Sequence, residues 1–422
     1  MFLGRPTMVL VFRDLIGSQT AVILSCCDTG DKSANGLSLC QHLCSGVVMS
    51  ESDQQPGRNV RFPFHRIEPT FFSGLLDDPI LLIRTRPDGR HLMLDCGQIH
   101  HLAKRTLTHL DTIFISHAHM DHWMGIDSVI RQLIAAGKTV DIYGGPGIAD
   151  KFEYKLKGYE WNLAEDYWSN FRVHEVQQDR ITCDLFAGVD SFRREAAPDI
   201  ERTDQVIFKN NYLEVLAESC DHRVESLIFR INERPAYIID KGRLAELNLL
   251  PGPWLGTLKR CFLRDEKFPE QLKVYQRQGG CRREILINDV PHLVQRLVQK
   301  QKTVSIGYIS DVGFNAANQA KIIKLMKGVD LLICECTFLR EAKERARASW
   351  HLCTDDINDL LAELQPQFFL PMHLSRSYSR RSSELYRELV LPIGTTVLKL
   401  PLHLTPRPLL ANELAWQGHI QG

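Results

Sequence analysis

From about residue 60 the apolar positions follow two alternating rhythms. Short apolar runs bounded by turn residues read as strands. "PILLIRT" (79–85) and "HLMLDCG" (91–97) are separated by the turn "RPDGR". "LDTIFIS" (110–116) is a third strand, and "TVDIYGG" (139–145) a fourth. Between those two, Trp123, Ile126, Val129, Ile130, Leu133 and Ile134 recur at helical spacing, and Gly137 is a suitable C-cap. Residues 150–180 are aromatic and charged, with mixed signals.

The second half repeats the style. "SLIFRI" (226–231), "AYIID" (236–240), "TVSIGYISD" (303–311), "VDLLICECTF" (329–338) and "QFFLPMH" (367–373) read as strands. "NAANQAKIIKLMKG" (315–328) is a helix ending at Gly328, and "TDDINDLLAEL" (354–364) a helix with Thr354 as N-cap. Strands and helices alternating in both halves predict α/β layers. Residues 241–282 break the rhythm, being rich in Pro, Gly and Lys/Arg, and are expected to form an inserted arm. Residues 1–58 lack periodicity, and "MSESDQQPGRN" (49–59) is polar and turn-rich. They are expected to be a poorly ordered N-terminal extension, with Met49 a second candidate start.

Composition changes this picture only a little. The 422 residues carry 51 Lys+Arg against 51 Asp+Glu, so a strongly basic nucleic-acid footprint is absent at whole-chain level. The 12 cysteines show no regular framework and read as reduced intracellular thiols, which points to the cytoplasm. Cys26, Cys27, Cys40 and Cys44 cluster, but their spacing fits no strong zinc template. No apolar run is long enough for a transmembrane helix, and the N-terminus does not read as a signal peptide, so no membrane role is expected.

The chemistry concentrates in "FISHAHMDHW" (114–123), where His117, His119, Asp121 and His122 fall at a predicted strand end before a helix. Layered α/β folds tend to place ligand sites at such ends. Imidazole nitrogen and carboxylate oxygen are preferred ligands of hydrolytic zinc. Positions i and i+2 can put two imidazoles on one metal, and i+4 and i+5 can aim a carboxylate and a third imidazole at a second. Three further residues share the strand-end position: His222 before "SLIFRI", Asp311 after "GYIS" and His373 after "FFLPM".

"HAHMDH" resembles the HxHxDH signature of the metallo-β-lactamase superfamily. "DHRVESLIFRI", "ERPAYIIDKGRLAELNLLPGPWLGTLK", "GYISD", "LLICECTF" and "MHLSRSY" resemble, in order, segments of ribonuclease Z, the tRNA 3′-end endonuclease, over roughly residues 65–400. The resemblance implies an αββα sandwich: two mixed β sheets packed face to face with helices outside. The hydrolase domain would span 59–405, followed by a C-terminal tail, 406–422. It implies two Zn2+ per subunit, with Mn2+ as the alternative metal. His117, His119 and His222 would hold the first, Asp121, His122 and His373 the second, and Asp311 would bridge them. Asp121 would also orient or deprotonate the attacking water. His351 would protonate the leaving oxygen and Glu335 would orient His351. Asp95 would support a ligand from behind, as metal-bound histidines require. Arg376, Tyr378 and Arg380 are candidate phosphate contacts. The implied substrate is a tRNA precursor, gripped by the arm of the other subunit in a homodimer. A small phosphodiester, cyclic nucleotide or other ester is the alternative substrate. The chain departs from the family pattern at Cys334, Leu352, Cys353 and Ser377, and "PTFFSGLLDDP" replaces the usual glycine-rich first strand.

Overall fold

The computed structural model describes residues 62–404 apart from 87, 236, 265 and 301, together with two strands near the N-terminus. The chain divides into two units at Phe62/Pro63. In the first, Val9–Arg13 pairs antiparallel with Gln19–Ile23. The rest of the expected extension, with Met49 and the four clustered cysteines, lies outside the described residues, as does the tail 406–422.

The second unit is built on two large sheets. The first has eight strands, in the order Arg194–Glu201, Arg180–Phe186, Asn170–Val176, Thr139–Gly144, Leu110–Phe114, His91–Leu94, Leu81–Thr85, Ile67–Phe71. Its four central strands, from Asn170–Val176 to His91–Leu94, run parallel, and its flanks are antiparallel. The second has seven: Val206–Lys209, Leu213–Asp221, Glu225–Glu233, Ser305–Ile309, Leu331–Glu335, Phe368–Met372, Thr396–Val397. Its first four pair antiparallel, and the run from Ser305–Ile309 onward is parallel.

The two sheets meet face to face. Phe114 of the first lies 5.8 Å from Phe229 and 5.7 Å from Phe208 of the second, ring centre to ring centre. Helices cover the outer faces. The helix Ile126–Leu133 buries Ile126, Val129, Ile130 and Leu133 against the first sheet. Ala316–Met326 and Thr354–Leu364 bury Ile322, Leu325, Ile357, Leu360 and Leu361 against the second. Each such side chain contributes roughly 1.5–3 kcal/mol by leaving water. The result is the four-layer αββα sandwich, with both sheets mixed.

Two local expectations are corrected. The helix expected to run from Trp123 is two pieces, Met120–Trp123 and Ile126–Leu133, interrupted at Gly125. The Gly125 N–H donates to Cys96 O at 2.8 Å, and a Cβ there would lie 2.2 Å from Gly97 O, so the backbone is pulled onto the neighbouring loop. The helix then ends at Leu133 with Ile134 as its C-cap, three residues before Gly137, which does adopt φ 63°. The second helix starts one residue early. Cys353 is its N-cap, and Asp356 reaches back to accept the Cys353 N–H at 2.9 Å. The Thr354 hydroxyl bonds Glu388 instead.

Between Glu233 and Ser305 the chain leaves the second sheet. Tyr237–Ile239 pairs antiparallel with Val298–Lys300, and everything between them forms a small layered unit. It contains the helices Lys241–Glu246, Pro253–Arg264 and Val290–Leu297 and the hairpin Leu272–Gln278/Cys281–Ile287. Trp254, Leu258, Val274, Val290 and Leu297 make its core. Gly252 packs its backbone against the Tyr275 ring, where a Cβ would come within 2.6 Å. No helix among the described residues is long and apolar enough to cross a membrane.

Candidate metal centre

The residues singled out by spacing come together at one end of both sheets. His117, His119, Asp121 and His122 follow the strand Leu110–Phe114. Asp95 follows His91–Leu94, and Asp311 follows Ser305–Ile309. Glu335 ends its strand, and His373 follows Phe368–Met372. His222 sits in the turn between Leu213–Asp221 and Glu225–Glu233. Parallel strands end on the same side, so the second sheet delivers Asp311, Glu335 and His373 side by side. Asp95 and His373 hold left-handed backbones, φ 55° and 60°. Such conformations are costly for residues with a Cβ, and they cluster at functional sites.

Potential ligand atoms converge in three overlapping groups: His117, His119, His222 and Asp311; Asp121, His122 and His373; and Asp311, Glu335, His351 and His373. Within each, the atoms lie within 4.8 Å of one another. Asp311, only 2 % exposed, stands between them. Its Oδ2 is 3.8 Å from His117 Nε2, 3.9 Å from His222 Nε2 and 3.3 Å from His122 Nε2. Its Oδ1 is 3.3 Å from His373 Nδ1. His373 Nε2 lies 3.1 Å from Asp121 Oδ2.

The outer hydrogen bonds decide which imidazole nitrogen is free. His117 Nδ1 faces Ser116 Oγ at 3.0 Å, His122 Nδ1 faces Asp95 Oδ2 at 3.0 Å, and His222 Nδ1 faces Trp350 O at 2.6 Å. In each ring Nε2 is left to point inward. His117 Nε2, His122 Nε2 and Asp311 Oδ1 are buried and have no hydrogen-bond partner. Orphaned buried polar atoms are costly, and here three of them surround one space. Nitrogen and carboxylate donors in this number suit divalent zinc. The residues therefore fit a metal.

The electrostatics agree. Burial, reinforced by the neighbouring His122, pushes the His117 imidazole down to about 3, leaving it neutral as a ligand should be. Burial opposes ionisation of Asp311, yet His373 and His122 hold its carboxyl well below the usual range. His122 is also penalised by burial, but Asp311 and Asp95 outweigh that and hold it well above the ordinary imidazole value. The carboxylates thus draw positive charge onto His122 where a dication would supply it.

Asp95 is fully buried and accepts from the Ser116 N–H (2.8 Å), Ser116 Oγ (3.0 Å), Tyr308 OH (2.9 Å) and Ser310 Oγ (3.1 Å), besides His122. Glu335, also fully buried, accepts from the Val312 N–H at 2.9 Å and the Thr337 hydroxyl at 2.5 Å, and meets His351 Nδ1 at 3.1 Å. Against burial, Glu335 and Asp311 raise the His351 imidazole to about 9.

A cavity of about 440 Å³ opens beside the cluster, walled by Asp78, Met120, Asp121, Thr337, His373 and Arg376 among others. Arg376 reaches it and pairs with Asp78 at 3.1 Å. The other two expected phosphate contacts do not reach it. Tyr378 is packed into the core of the second sheet, its hydroxyl bonded to the Leu339 backbone. Arg380 is exposed and forms no part of the cavity wall. After His373 a short helical turn, Arg376–Tyr378, buries Leu374 and Tyr378 and leaves Arg380 in solvent, so proximity in sequence overstated their reach.

Several residues of the site escaped sequence reasoning. The Thr337 hydroxyl lies 3.3 Å from both His351 Nδ1 and His373 Nδ1. Asp78 holds Arg376. Gly97 is needed because a Cβ would come 2.3 Å from Asp121 O and 2.4 Å from Asp78 Cβ. Only the glycine after the strand-end aspartate offered a signal for any of them.

This sandwich, with histidine and carboxylate groups gathered at its strand ends, is the metallo-β-lactamase fold, and the class of protein it defines is a metal-dependent hydrolase. The family described as anti-Pycsar protein Apyc1 matches residues 78–184, which include His117–His122. Ribonuclease Z of Deinococcus radiodurans is 28% identical over 292 residues, 68% of this chain and 83% of that protein. Ribonuclease Z of Methanothermobacter thermautotrophicus is 26% identical over 306 residues, covering 71% and 81%. Among solved structures, the short form of human tRNase Z aligns at 13% identity with a TM-score of 0.41, over 78% of this chain and 96% of that one. Over about two thirds of its length the chain is similar to these ribonuclease Z proteins.

Proposed function

We propose that the protein is a two-zinc phosphodiesterase that cuts RNA as an endoribonuclease, trimming the 3′ ends of tRNA precursors. The observation that carries this reading is the buried Asp311 carboxylate, which belongs to two overlapping groups of ligand atoms and faces the unpartnered Nε2 atoms of His117 and His122. The similarity to proteins named ribonuclease Z supports an RNA substrate. His117, His119 and His222 would hold one metal, Asp121, His122 and His373 the other, with Asp311 between; manganese is the alternative ion. A bound pair of such ions lowers the pKa of a water and polarises a phosphoryl oxygen.

The chain's own groups do the rest. Asp121 stands at the cavity wall, its side chain 41% exposed, where it can take a proton from the attacking water. Protonating the departing 3′ oxygen requires a positioned acid. His351 carries that proton, and Glu335 and Thr337 fix its ring. Arg376 meets a phosphate at the cavity wall. The inserted unit leaves the second sheet at the end opposite the ligands, where Asn232 pairs with Ser305 and the Glu233 N–H donates to Val304 O. That placement suits an arm that serves the site of a partner subunit in a cytoplasmic homodimer.

The test is cleavage of a tRNA precursor with a 3′ trailer by the zinc-loaded protein, with Asp121→Ala as control. Cleavage after the discriminator that disappears in the variant supports the reading. Two bound metals without cleavage would refute the RNA substrate and direct assays to small phosphodiesters. Metal content near zero would remove the hydrolase chemistry itself.

A further inference from the structure

A second cavity, of about 340 Å³, lies on the outer face of the first sheet, under the helix Lys104–Thr108. Its charged and titratable lining consists of Arg84, His91, Arg105 and His109, with no carboxylate among the lining residues. Neither Arg84 nor Arg105 has a carboxylate partner among the described residues. Glu68, across the sheet from Arg84, is 3.8 Å from Arg86 instead. The two imidazoles are tied by the same nitrogen. His91 Nδ1 bonds Thr106 O at 2.9 Å and His109 Nδ1 bonds Arg105 O at 2.8 Å, so Nε2 of each is the nitrogen left for a ligand. The ring centres are 5.6 Å apart. Phe72 and Leu82 provide an apolar wall.

Two guanidinium groups facing one hollow with no carboxylate in its wall repel one another, and an anion between them removes that repulsion. Guanidinium forks match phosphate geometry. The volume exceeds what a bare phosphate needs, and a half-buried aromatic ring beside cations is what a base stacks on. From this geometry we infer that the cavity binds a nucleotide phosphate, with Arg84 and Arg105 on the phosphate and Phe72 against the base. It stands apart from the metal centre. His91 begins the four-residue strand that ends before Asp95, so the two sites are separated by about 13 Å along that strand. Nothing in the metal chemistry requires it.

The test titrates the metal-loaded protein at constant ionic strength and follows the imidazole NMR signals of His91 and His109. These report this cavity and not phosphate bound at the metals. The probes are inorganic phosphate, AMP and a short single-stranded RNA. The expected result is a saturable shift of both rings with phosphate. It should weaken roughly tenfold or more in Arg84→Gln/Arg105→Gln, since each lost contact is to a charged group. Arg84→Lys/Arg105→Lys, which keeps the charge, should retain part of it. AMP should bind more tightly than phosphate, and Phe72→Leu should erase that advantage. RNA that competes with AMP identifies a strand as the natural source, and RNA that does not identifies a free nucleotide. No saturable shift, or equal affinity in the Gln variant, overturns the site. AMP no tighter than phosphate overturns the base contact.

Discussion

Asp95→Asn isolates the support behind the metal centre. The change is nearly isosteric and adds no volume, so its cost is that of the lost hydrogen bonds and of the carboxylate charge that faces His122. Asp95 Oδ1 accepts the Ser116 N–H, and Oδ2 accepts from Ser116 Oγ, Tyr308 OH, Ser310 Oγ and His122 Nδ1. An amide has only one oxygen. If that oxygen stays at the Oδ2 position, the NH2 faces the Ser116 N–H, donor against donor. If it flips, the hydroxyls can rotate to accept, but His122 Nδ1 must then give up its proton. The proton would move to Nε2, the atom that faces Asp311. A buried unsatisfied donor costs about 1–3 kcal/mol, and bonds to an ionised acceptor are roughly twice as strong as neutral ones. The variant should therefore lose about 2–4 kcal/mol of stability. Loss of such support typically weakens metal binding by about 10–100-fold. Thermal unfolding of the metal-free protein measures the first effect, and competitive metal titration the second. An unchanged Tm together with unchanged metal affinity would refute the reasoning, because it would mean that the five contacts carry neither stability nor tautomer control.

Gly97→Ala should lower Tm and metal affinity together, since its Cβ would meet the Asp121 carbonyl and Asp78; unaltered metal titration would sink this. In the metal-free protein the raised His351 value makes its stabilising contribution complete below about pH 6.5, and lost as pH rises through about 9. A Tm-against-pH profile should show that fall, and His351→Asn should flatten it. Arg347→Ala would strand the buried Asp356, which it grips at 2.6 and 2.7 Å beside the N-cap of Thr354–Leu364. Because Arg347 is one-third exposed, a loss of about 1–3 kcal/mol is expected by urea denaturation, and no loss would show that water replaces the pair.

The centre was legible wherever chemistry is local or tied to a strand end. His117, His119, Asp121 and His122 announce themselves because one turn carries all four. His222, Asp311 and His373 follow from a rule about where layered folds put ligands. Thr337 and Asp78 were silent, because a hydroxyl or carboxylate gains its role only from partners far along the chain. Asp78 meets Arg376, almost three hundred residues away, and no periodicity encodes that meeting. Tyr378 failed for the opposite reason: nearness in sequence suggested a contact that the core claimed first. The helix after the histidines showed the right apolar stripe, yet the break at Gly125 arises from the approach of Gly97 and Cys96, which the stripe does not contain. The segment 241–282 stood out by composition. Its separate core did not, since Leu244, Trp254 and Val274 come from three elements that share no single rhythm.

The way that segment is attached has a consequence for how such a chain can change. Ile239 and Val298 face each other as partners in a two-stranded ladder, so the points where the unit leaves and returns are about 5 Å apart. A two-residue turn could join them. The entropy of closing a loop grows only with the logarithm of its length, about 3 kcal/mol between two residues and fifty-odd, and the unit's own core works against that cost. Lineages could lengthen, shorten or discard the unit without moving a ligand, and a single hydrolytic scaffold could be fitted to different polymers by exchanging the handle and leaving the blade alone.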